Sequence, residues 1–162
     1  MNRFLLSKGQ VNSNNTIIGA IYRPPNIDQL TFNIEFDKLF RSITKGCTSC
    51  ILLGDYNINL LHSSTDQETG NFLNALFTNS VLPTITQPTR YGAQSATLID
   101  NVITNKYLEQ HLSGILLNDF SDHFPIFVVT GDISFKCHSK YFMKKLRLVV
   151  SMILLINKDT NT

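Results

Sequence analysis

The sequence predicts a single domain of α/β or mixed α+β class, and three observations lead to that prediction. The chain has 162 residues, which is enough for one sizeable hydrophobic core and too few for two comfortable domains. Its residues are 43% hydrophobic and 16% charged, a composition typical of a globular protein. Short apolar, β-branched runs alternate with segments of helical periodicity, which is the pattern of sheets covered by helices.

Two buried strands and the helix between them are predicted in the first third of the chain. Residues 16–22 form a β-branched run that stops at a pair of prolines. Asp28 can cap the next segment, where apolar residues recur at helical spacing: Phe32, Phe36, Leu39, Phe40 and Ile43. Gly46 is expected to end this helix, and residues 50–54 are predicted to form the second strand.

The same alternation continues through the rest of the chain. Thr65 or Asp66 can cap a second helix whose inner side carries Phe72, Leu73, Leu76 and Phe77. Strands are expected at residues 81–85, 97–104, 112–117 and 125–130. The strand at 97–104 has apolar residues on both faces and is predicted to be buried on both sides.

Composition narrows the function classes only weakly. Fourteen basic and twelve acidic residues give a net charge of +2, which is too small to argue nucleic-acid binding from charge alone. The three cysteines make no disulfide framework and favour a reducing compartment. A zinc site built from Cys47, Cys50, Cys137 and His138 is one interpretation, and the simpler alternative makes Cys50 a core residue.

Neither end of the chain predicts a targeting or membrane segment. Residues 4–6 are too short an apolar stretch for a signal peptide, and the 11 residues of 146–156 fall short of the ~20 that a membrane span needs. From Asp132 onward the regular order is lost, so we predict a domain at 1–132 and a tail at 133–162. The tail's basic residues form a solvated face or a linker, or alternatively a nucleic-acid-contacting arm: Lys136, Lys140, Lys144, Lys145 and Arg147.

Polar residues gather where buried strands are predicted to stop. They form four clusters: Tyr22-Arg23-Pro24-Pro25, Gly54-Asp55-Tyr56-Asn57, Leu98-Ile99-Asp100-Asn101 and Ser121-Asp122-His123. A turn or a helix cap is the simpler explanation for any one of them, but Asp100 lies inside a strand pattern with no turn signal nearby. Because an unpaired buried carboxylate is costly, a shared cavity explains the set better than unrelated caps.

These residue types together fit metal-assisted phosphodiester hydrolysis. Carboxylates bind Mg²⁺ through oxygen, and the ion takes phosphate oxygens as further ligands. An Asp beside such a site can deprotonate an attacking water. A His held by a carboxylate can stabilise charge that grows on a phosphate, while Tyr and Asn add neutral hydrogen-bond donors.

In this order, the four clusters resemble the signatures of the endonuclease/exonuclease/phosphatase superfamily, and their forms are most similar to the endonucleases of LINE-type (non-LTR) retrotransposons. The GDxN and SDHxP motifs are short, but together, in this order and separated by the strand that carries Asp100, they make a specific signal. The similarity covers about residues 16–130. It implies a four-layer α/β/β/α sandwich of the apurinic-endonuclease and pancreatic-deoxyribonuclease type.

The resemblance also implies a role for each catalytic residue. Asp55 would activate the attacking water, and Asn57 would donate a hydrogen bond to the phosphate or the nucleophile. Tyr22 would contact the scissile phosphate or stabilise the leaving group. His123, oriented by Asp100, would bind the phosphate.

Three more residues, a cofactor and partners follow from the same resemblance. Asp122 would lie beside the metal, Ser121 would support the substrate-binding loop, and Thr89 would lie near the DNA backbone. The cofactor would be Mg²⁺ or Mn²⁺ and the partner DNA, with a reverse transcriptase domain in the parent element and no membrane. The location would be inside the cell, in the nucleus or the cytoplasm.

The sequence departs from the family pattern in one respect. The family places an Asn and its principal metal-binding Glu on strands well before the strand that carries the Tyr, whereas the 21 residues before Tyr22 contain no Glu. We therefore expect a domain that is incomplete at its N-terminus. Three functions stay open: a DNA-nicking endonuclease, a non-catalytic remnant or phosphate-binding fragment, and a phosphatase of the same superfamily.

Overall fold

A computed structural model of the chain describes residues 3–11, 14–44, 49–105, 111–119, 121–130, 133–134 and 154–157. The helices are α1 (Gln29–Thr44) and α2 (Gln67–Thr78), and a short 3₁₀ turn covers Leu60–His62. The strands are β1 (Arg3–Val11), β2 (Asn14–Tyr22), β3 (Ser49–Asp55), β4 (Leu82–Pro83), β5 (Arg90–Gly92), β6 (Ser95–Thr97), β7 (Asp100–Thr104), β8 (His111–Ile115), β9 (Ile126–Thr130), β10 (Ile133–Ser134) and β11 (Leu154–Asn157).

The large sheet has six strands in the order β10-β1-β2-β3-β7-β4. Strands β2 and β3 are parallel, while β3 and β7 are antiparallel, as are β1 and β2. A parallel neighbour requires a crossover of a dozen or more residues, and the 16-residue helix α1 supplies it. Strands β2 and β3 lie at the centre of the sheet, and all residues of β3 and β7 are buried.

One face of the large sheet carries the helices. Asp28 accepts a hydrogen bond from the Thr31 main-chain nitrogen at 2.8 Å, and Asp66 caps α2 through the Thr69 nitrogen at the same distance, so both predicted caps are confirmed. The helices bury a group of aromatic rings whose centroids lie 5.7 to 6.5 Å apart: Phe32, Phe36, Tyr56 and Phe72. Neither helix of the described chain is long and apolar enough to cross a membrane.

The other face of the large sheet packs against a small sheet of order β11-β9-β8. A second core lies between the two sheets and consists of Ile18, Ile51, Leu53, Ile85, Leu98, Val102, Ile126 and Val128. The described residues thus supply three layers: helices, large sheet and small sheet. This is the face-to-face arrangement of two sheets that the resemblance implied, and the α/β class is confirmed.

Several boundaries differ from the sequence-based expectation. Strand β1 was not predicted, and it pairs with β2 along nine residues. The strand expected at 97–104 begins only at Asp100, because Leu98 and Ile99 leave the ladder and accept hydrogen bonds from the Leu60 and Tyr56 main-chain nitrogens at 3.0 and 2.9 Å. The strand expected at 81–85 shortens to two residues that end at a proline.

Part of the predicted tail forms two short strands. Strand β10 pairs with β1, and β11 pairs in parallel with β9. The five basic residues of the tail lie outside the described residues, as do Gly46, Cys47, Cys137 and His138. The boundary at residue 132 stays a prediction, whereas Cys50 is a buried residue of the core, as the simpler interpretation expected.

Candidate functional site

Three polar side chains line up at one edge of the large sheet. In the register of the central strands, Tyr22 is the partner of Asp55, and Asp55 is the partner of Asp100. Leu53 and Val102 belong to the core between the sheets, and side chains alternate along a strand. Asp55 and Asp100, two residues away from them, therefore share the face between the sheets. The register brings together residues that are up to 78 positions apart in the sequence.

Gly54 allows β2 and β3 to approach each other next to Asp55. Its φ of +154° favours glycine, and a Cβ at this position would lie 1.8 Å from the main-chain oxygen of Ile21. No rotamer change can relieve a clash with main chain. The glycine of the GDxN motif is thus required by the close contact between the two strands.

Asn57 orients the Asp55 carboxylate through two hydrogen bonds. Its main-chain N–H donates to Asp55 Oδ1 at 2.9 Å, and its side-chain amide donates to Asp55 Oδ2 at 3.0 Å. The same amide also donates to the main-chain oxygen of Arg23 at 2.7 Å. Asn57 adopts a left-handed φ of +49°, which Asn tolerates better than most residues. Sequence spacing and backbone conformation together therefore fix the direction of this carboxylate.

Asp100 is the centre of a buried network. It is fully buried, and its Oδ2 accepts hydrogen bonds from Thr89 Oγ1 at 2.9 Å and from His123 Nδ1 at 3.0 Å. Thr89 is also fully buried, and its hydroxyl accepts from the Asp100 main-chain nitrogen at 3.0 Å. Since a carboxylate only accepts, Nδ1 of His123 carries the proton, and Nε2 is the acceptor atom of the neutral ring.

The charges of this site shift the pKa values of two groups. Burial, followed by repulsion from Asp100, raises the pKa of Asp55 to about 6, although the hydrogen bonds from Asn57 act in the opposite direction. The hydrogen bond to Asp100 raises the pKa of His123, with burial opposing it. The pKa of the Asp55 carboxyl group is thus raised towards neutral pH, and the protonated form of the His123 ring is favoured. Perturbed pKa values of this kind are typical of functional sites.

Asp55, Asp100 and His123 form a candidate site for a divalent metal ion. One ligand atom from each of the three lies within 4.8 Å of the others. Two carboxylate oxygens and an imidazole nitrogen suit a divalent cation. The repulsion between the two carboxylates is also the kind of interaction that a bound cation would relieve, so the donor set fits the metal ion that the resemblance implied.

Two of the predicted site residues lie at the surface beside this group. The side chain of Asp122 is 51% exposed, and its Oδ2 accepts from Arg90 Nε at 2.7 Å, which lowers the pKa of Asp122. Asp122 is not part of the three-residue cluster in the described structure. Ser121 Oγ accepts from the His123 main-chain nitrogen at 3.1 Å, a contact within the loop that carries both residues.

One residue of the site had no predicted role. Arg23 is 6% exposed, and its side chain contacts the main chain beside Asp55 rather than a carboxylate. One signal in the sequence could have found it, because a charged residue directly follows an apolar run that is predicted to be a buried strand. Its neighbour Tyr22 is half-buried at the end of β2.

Comparison with known proteins places this fold and site in a class. Residues 16–127 match a family model described as "Endonuclease-reverse transcriptase", which is more than half of the chain. The fold, the strand-end site and this match define a domain of the endonuclease/exonuclease/phosphatase superfamily. Within that class, the chain belongs to the endonuclease-reverse transcriptase family. No curated protein matches it.

Solved structures share the fold at low sequence identity. The endonuclease domain of TRAS1, a telomere-specific non-LTR retrotransposon, superposes with a TM-score of 0.58 at 13% identity, covering 78% of this chain and 65% of that domain. The catalytic domain of Xenopus laevis APE2 gives 0.58 at 16% identity, covering 77% and 53%. Beta toxin of Staphylococcus aureus gives 0.56 at 14%, covering 77% and 56%. The chain therefore spans less than two-thirds of each of these proteins.

Proposed function

We propose that this chain carries the catalytic strand ends of a metal-dependent endonuclease that nicks DNA in the life cycle of a non-LTR retrotransposon. The observation that carries the proposal is the convergence of Asp55, Asp100 and His123 within 4.8 Å at one edge of the sheet. The family match and the TRAS1 domain support the DNA substrate and the retrotransposon context. A reverse transcriptase domain would be the partner in the parent element.

Asp55 would act as the general base. A base works best when its pKa is close to the working pH, and burial brings the pKa of Asp55 to about 6. The carboxylate would accept a proton from the water that attacks phosphorus. Asn57 holds the carboxylate through both oxygens, so the base has a fixed direction before substrate arrives.

His123 would bind the phosphate and stabilise the charge that develops on it. Asp100 holds Nδ1 of the ring, so the Nε2 side is the side available to a substrate. Protonation of the ring, which Asp100 favours, places a positive charge next to a phosphate oxygen. Tyr22, beside Asp55 in the register, would add a neutral donor for the scissile phosphate or the leaving oxygen.

Thr89 would act behind Asp100. It is fully buried, and its hydroxyl donates to the carboxylate oxygen that also accepts from His123. Ser121 would fix the main chain of His123 from the other side. The contacts of Thr89 and Ser121 with substrate stay predictions, since both side chains bond within the protein.

The metal would be Mg²⁺ or Mn²⁺ beside the carboxylates of Asp55 and Asp100, with Asp122 at the edge of the site. His123 would serve the phosphate rather than the ion, because its Nδ1 donates to Asp100 and its Nε2 is the side available to substrate. When bound, such an ion polarises a phosphate oxygen and neutralises charge in the transition state. Asp122 is paired with Arg90, so its share in binding the ion has to be measured on its own. We expect Asp122→Asn to weaken metal binding less than Asp100→Asn.

Plasmid nicking tests the proposal. Supercoiled plasmid is incubated with the chain and Mg²⁺, and the variants Asp55→Asn and His123→Gln are compared with the wild-type chain. We expect nicking to require the metal and to fall roughly 100-fold or more in both variants, since Asp55→Asn removes the general base and His123→Gln removes the group that stabilises charge on the phosphate. The matched controls are Asp37→Asn and His62→Gln, which change an Asp on α1 and an exposed His of the 3₁₀ turn. Both controls should nick like the wild type.

The failing outcomes are informative because each identifies a different function. A chain that binds Mn²⁺ and a single-stranded oligonucleotide but never nicks is a phosphate-binding remnant, and the endonuclease proposal is then wrong. Release of inorganic phosphate from phosphomonoesters without nicking identifies a phosphatase. Equal loss of nicking in the control variants shows that the variants report on folding rather than on the site.

A further inference from the structure

Arg23 is buried without a carboxylate partner among the ion pairs of the described residues. Its side chain donates instead to three main-chain oxygens. Nε donates to Tyr56 O at 2.7 Å, and the two terminal nitrogens donate to the main-chain oxygens of Ile27 and Asn57. A buried guanidinium is expensive unless its donors are satisfied, so a carbonyl cage around it calls for an explanation.

The cage is centred on the segment that carries the proposed general base. The Arg23 main-chain nitrogen donates to Asp55 O at 2.9 Å, and the Arg23 main-chain oxygen accepts from the Asn57 amide at 2.7 Å. Together with the side-chain contacts to Tyr56 and Asn57, Arg23 therefore bonds to three consecutive residues. The planar guanidinium suits this arrangement, because it offers five donors in a fixed fork that a lysine cannot reproduce.

These contacts reach the Asp55 carboxylate through Asn57. The Arg23 side chain donates to the main-chain oxygen of Asn57, and the Arg23 main-chain oxygen accepts from the Asn57 side-chain amide. Asn57 in turn donates to both oxygens of Asp55. Asn57 also keeps a left-handed φ of +49°, a conformation that is unfavourable for most residues and persists where surrounding contacts hold it.

Attraction between opposite charges is a second link between Arg23 and the site. Asp55 and Asp28 oppose the lowering of the Arg23 pKa that burial causes, so the cation and the Asp55 carboxylate attract each other. The cation also lies 6.0 Å from the ring centroid of Phe32 on α1. Arg23 thus connects the first turn of α1 to the loop after β3.

We infer that Arg23 is the positioning residue of this site: it holds the segment from Asp55 to Asn57 in the conformation that aims the Asp55 carboxylate. It does so from behind the site and does not touch substrate. The effect on hydrolysis rests on the proposed function, whereas the effect on the loop does not.

The loop is tested first, by amide hydrogen exchange in Arg23→Met. Methionine keeps much of the side-chain volume and removes all donors. We expect hydrogen exchange at the main-chain N–H of Asn57 to accelerate by about tenfold or more relative to that of Leu52 in β3. The variant removes the hydrogen bond from the Arg23 side chain to the Asn57 main-chain oxygen, and the loss of one such bond is worth about that factor. The matched control is Arg41→Met, which removes an exposed arginine that pairs with Asp37 on α1. It should leave the ratio of the two exchange rates unchanged.

Two further variants separate positioning from folding. Arg23→Lys keeps the charge but not the fork, so it should also accelerate Asn57 exchange, and it serves as the test if Arg23→Met does not fold. In Arg23→Ala, millimolar methylguanidinium should restore the slow exchange of Asn57. An unchanged ratio of the Asn57 to the Leu52 exchange rate in the folded variants would overturn the inference, whether both rates stay the same or both rise by the same factor.

Nicking kinetics then connect the loop to the reaction. If the wild-type chain nicks plasmid, Arg23→Met should lower kcat by roughly 10- to 100-fold with KM changed less than about threefold, because a small misplacement of a catalytic group costs that much. A rise in KM alone would assign Arg23 to substrate binding and contradict positioning. If the wild-type chain does not nick, the proposed function fails while the exchange experiment still decides the role of Arg23.

Discussion

Two neighbouring regions of the site differ in how their charged groups are held: one is a buried hydrogen-bond network, and the other is an exposed ion pair with its neighbours. The buried network consists of Asp55, Asn57, Thr89, Asp100 and His123, whose side chains bond to one another or to main chain. The exposed rim consists of Arg90, Tyr91, Ser121, Asp122 and Phe124. In the rim, the side chains of Arg90 and Asp122 form an ion pair in which both partners are about half exposed.

This difference in burial makes the network rigid and leaves the rim able to change its contacts. Inside the network, a low local dielectric makes each hydrogen bond strong and each missing partner costly, so the arrangement is rigid. In the rim, water competes for the same groups, and surface ion pairs add little to stability. The network is therefore suited to hold reacting groups in place, while the rim can exchange its partners when a substrate or an ion approaches.

The largest effect should come from replacing the glycine next to the network. Gly54→Ala would place a Cβ 1.8 Å from the Ile21 main-chain oxygen at a φ of +154°, and we expect it to destabilise the fold by about 4 kcal/mol or more. Gly92→Ala, in the β5–β6 hairpin that carries the rim residues Arg90 and Tyr91, meets the Ser95 hydroxyl oxygen, which can rotate away, and should cost less than about 1 kcal/mol. Urea unfolding of both variants gives the comparison. Similar losses would show that the two regions are equally tight.

The next effect comes from removing one carboxylate from each region. Asp100→Ala leaves the buried donors Thr89 Oγ1 and His123 Nδ1 without their acceptor, so we expect a loss of about 3 kcal/mol in the free energy of unfolding. Asp122→Ala removes an exposed partner of Arg90 and should leave stability unchanged within the error of chemical denaturation. A loss for Asp122→Ala as large as that for Asp100→Ala would contradict the comparison.

The pH dependence of stability should also differ in sign between the two regions. The pKa of Asp55 is raised to about 6, so its contribution is present below an unfolded pKa near 3.8 and is lost as the pH rises through about 6. His123 acts in the same direction, since its raised pKa favours folding below about 6.5. Asp122 has a lowered pKa, so its contribution is lost as the pH falls.

Asp55→Asn measures this effect directly. We expect the variant to be more stable than the wild type by about 2 kcal/mol at pH 7.5, with a flatter profile between pH 4 and 7. Thermal denaturation across this pH range checks the prediction, with Asp37→Asn as the control. A wild-type profile that is flat between pH 4 and 7 would show that Asp55 is not held in a desolvated site.

The smallest effect concerns salt. Arg90→Met should leave the free energy of unfolding unchanged at 0.15 M salt, because the ion pair with Asp122 is exposed and screened. The same variant at 0.01 M salt should show a small loss if the rim pair contributes at all. His123→Gln, in contrast, should lose the same stability at both salt concentrations. A strong salt dependence for the buried variant would reverse the assignment of the two regions.

The central elements of the fold were predictable because their sequences carry strong local signals. The runs that became β2, β3 and β9 are continuous and apolar, and the helices α1 and α2 have capping residues at their starts. Strand β1 has no such run, since polar residues interrupt it. It pairs along nine residues with β2, its neighbour in the sequence, and the periodicity of β1 alone does not reveal that pairing. The hairpin β5–β6 is short and exposed, so periodicity had nothing to detect.

A site residue could be predicted where a charged side chain stands inside an apolar segment that is expected to be buried. Asp100 inside an apolar strand is such a contradiction, and the structure buries it completely. Arg23 was overlooked, although it is a charged residue between an apolar strand and two prolines, because its partners are main-chain oxygens that leave no mark in a sequence. The pairing of Asp122 with Arg90 is a long-range contact, 32 positions apart, and spacing alone cannot predict it.

The register that aligns Tyr22, Asp55 and Asp100 has a consequence for how the domain folds. These residues and His123 come from four distant points of the chain, and the parallel pairing of β2 with β3 must wait until the α1 crossover closes. Such non-local contacts form slowly, because loop-closure entropy is lost before the contacts compensate for it. The cluster of Asp55, Asp100 and His123 is therefore expected to assemble late in folding, after the strands that carry these residues have paired.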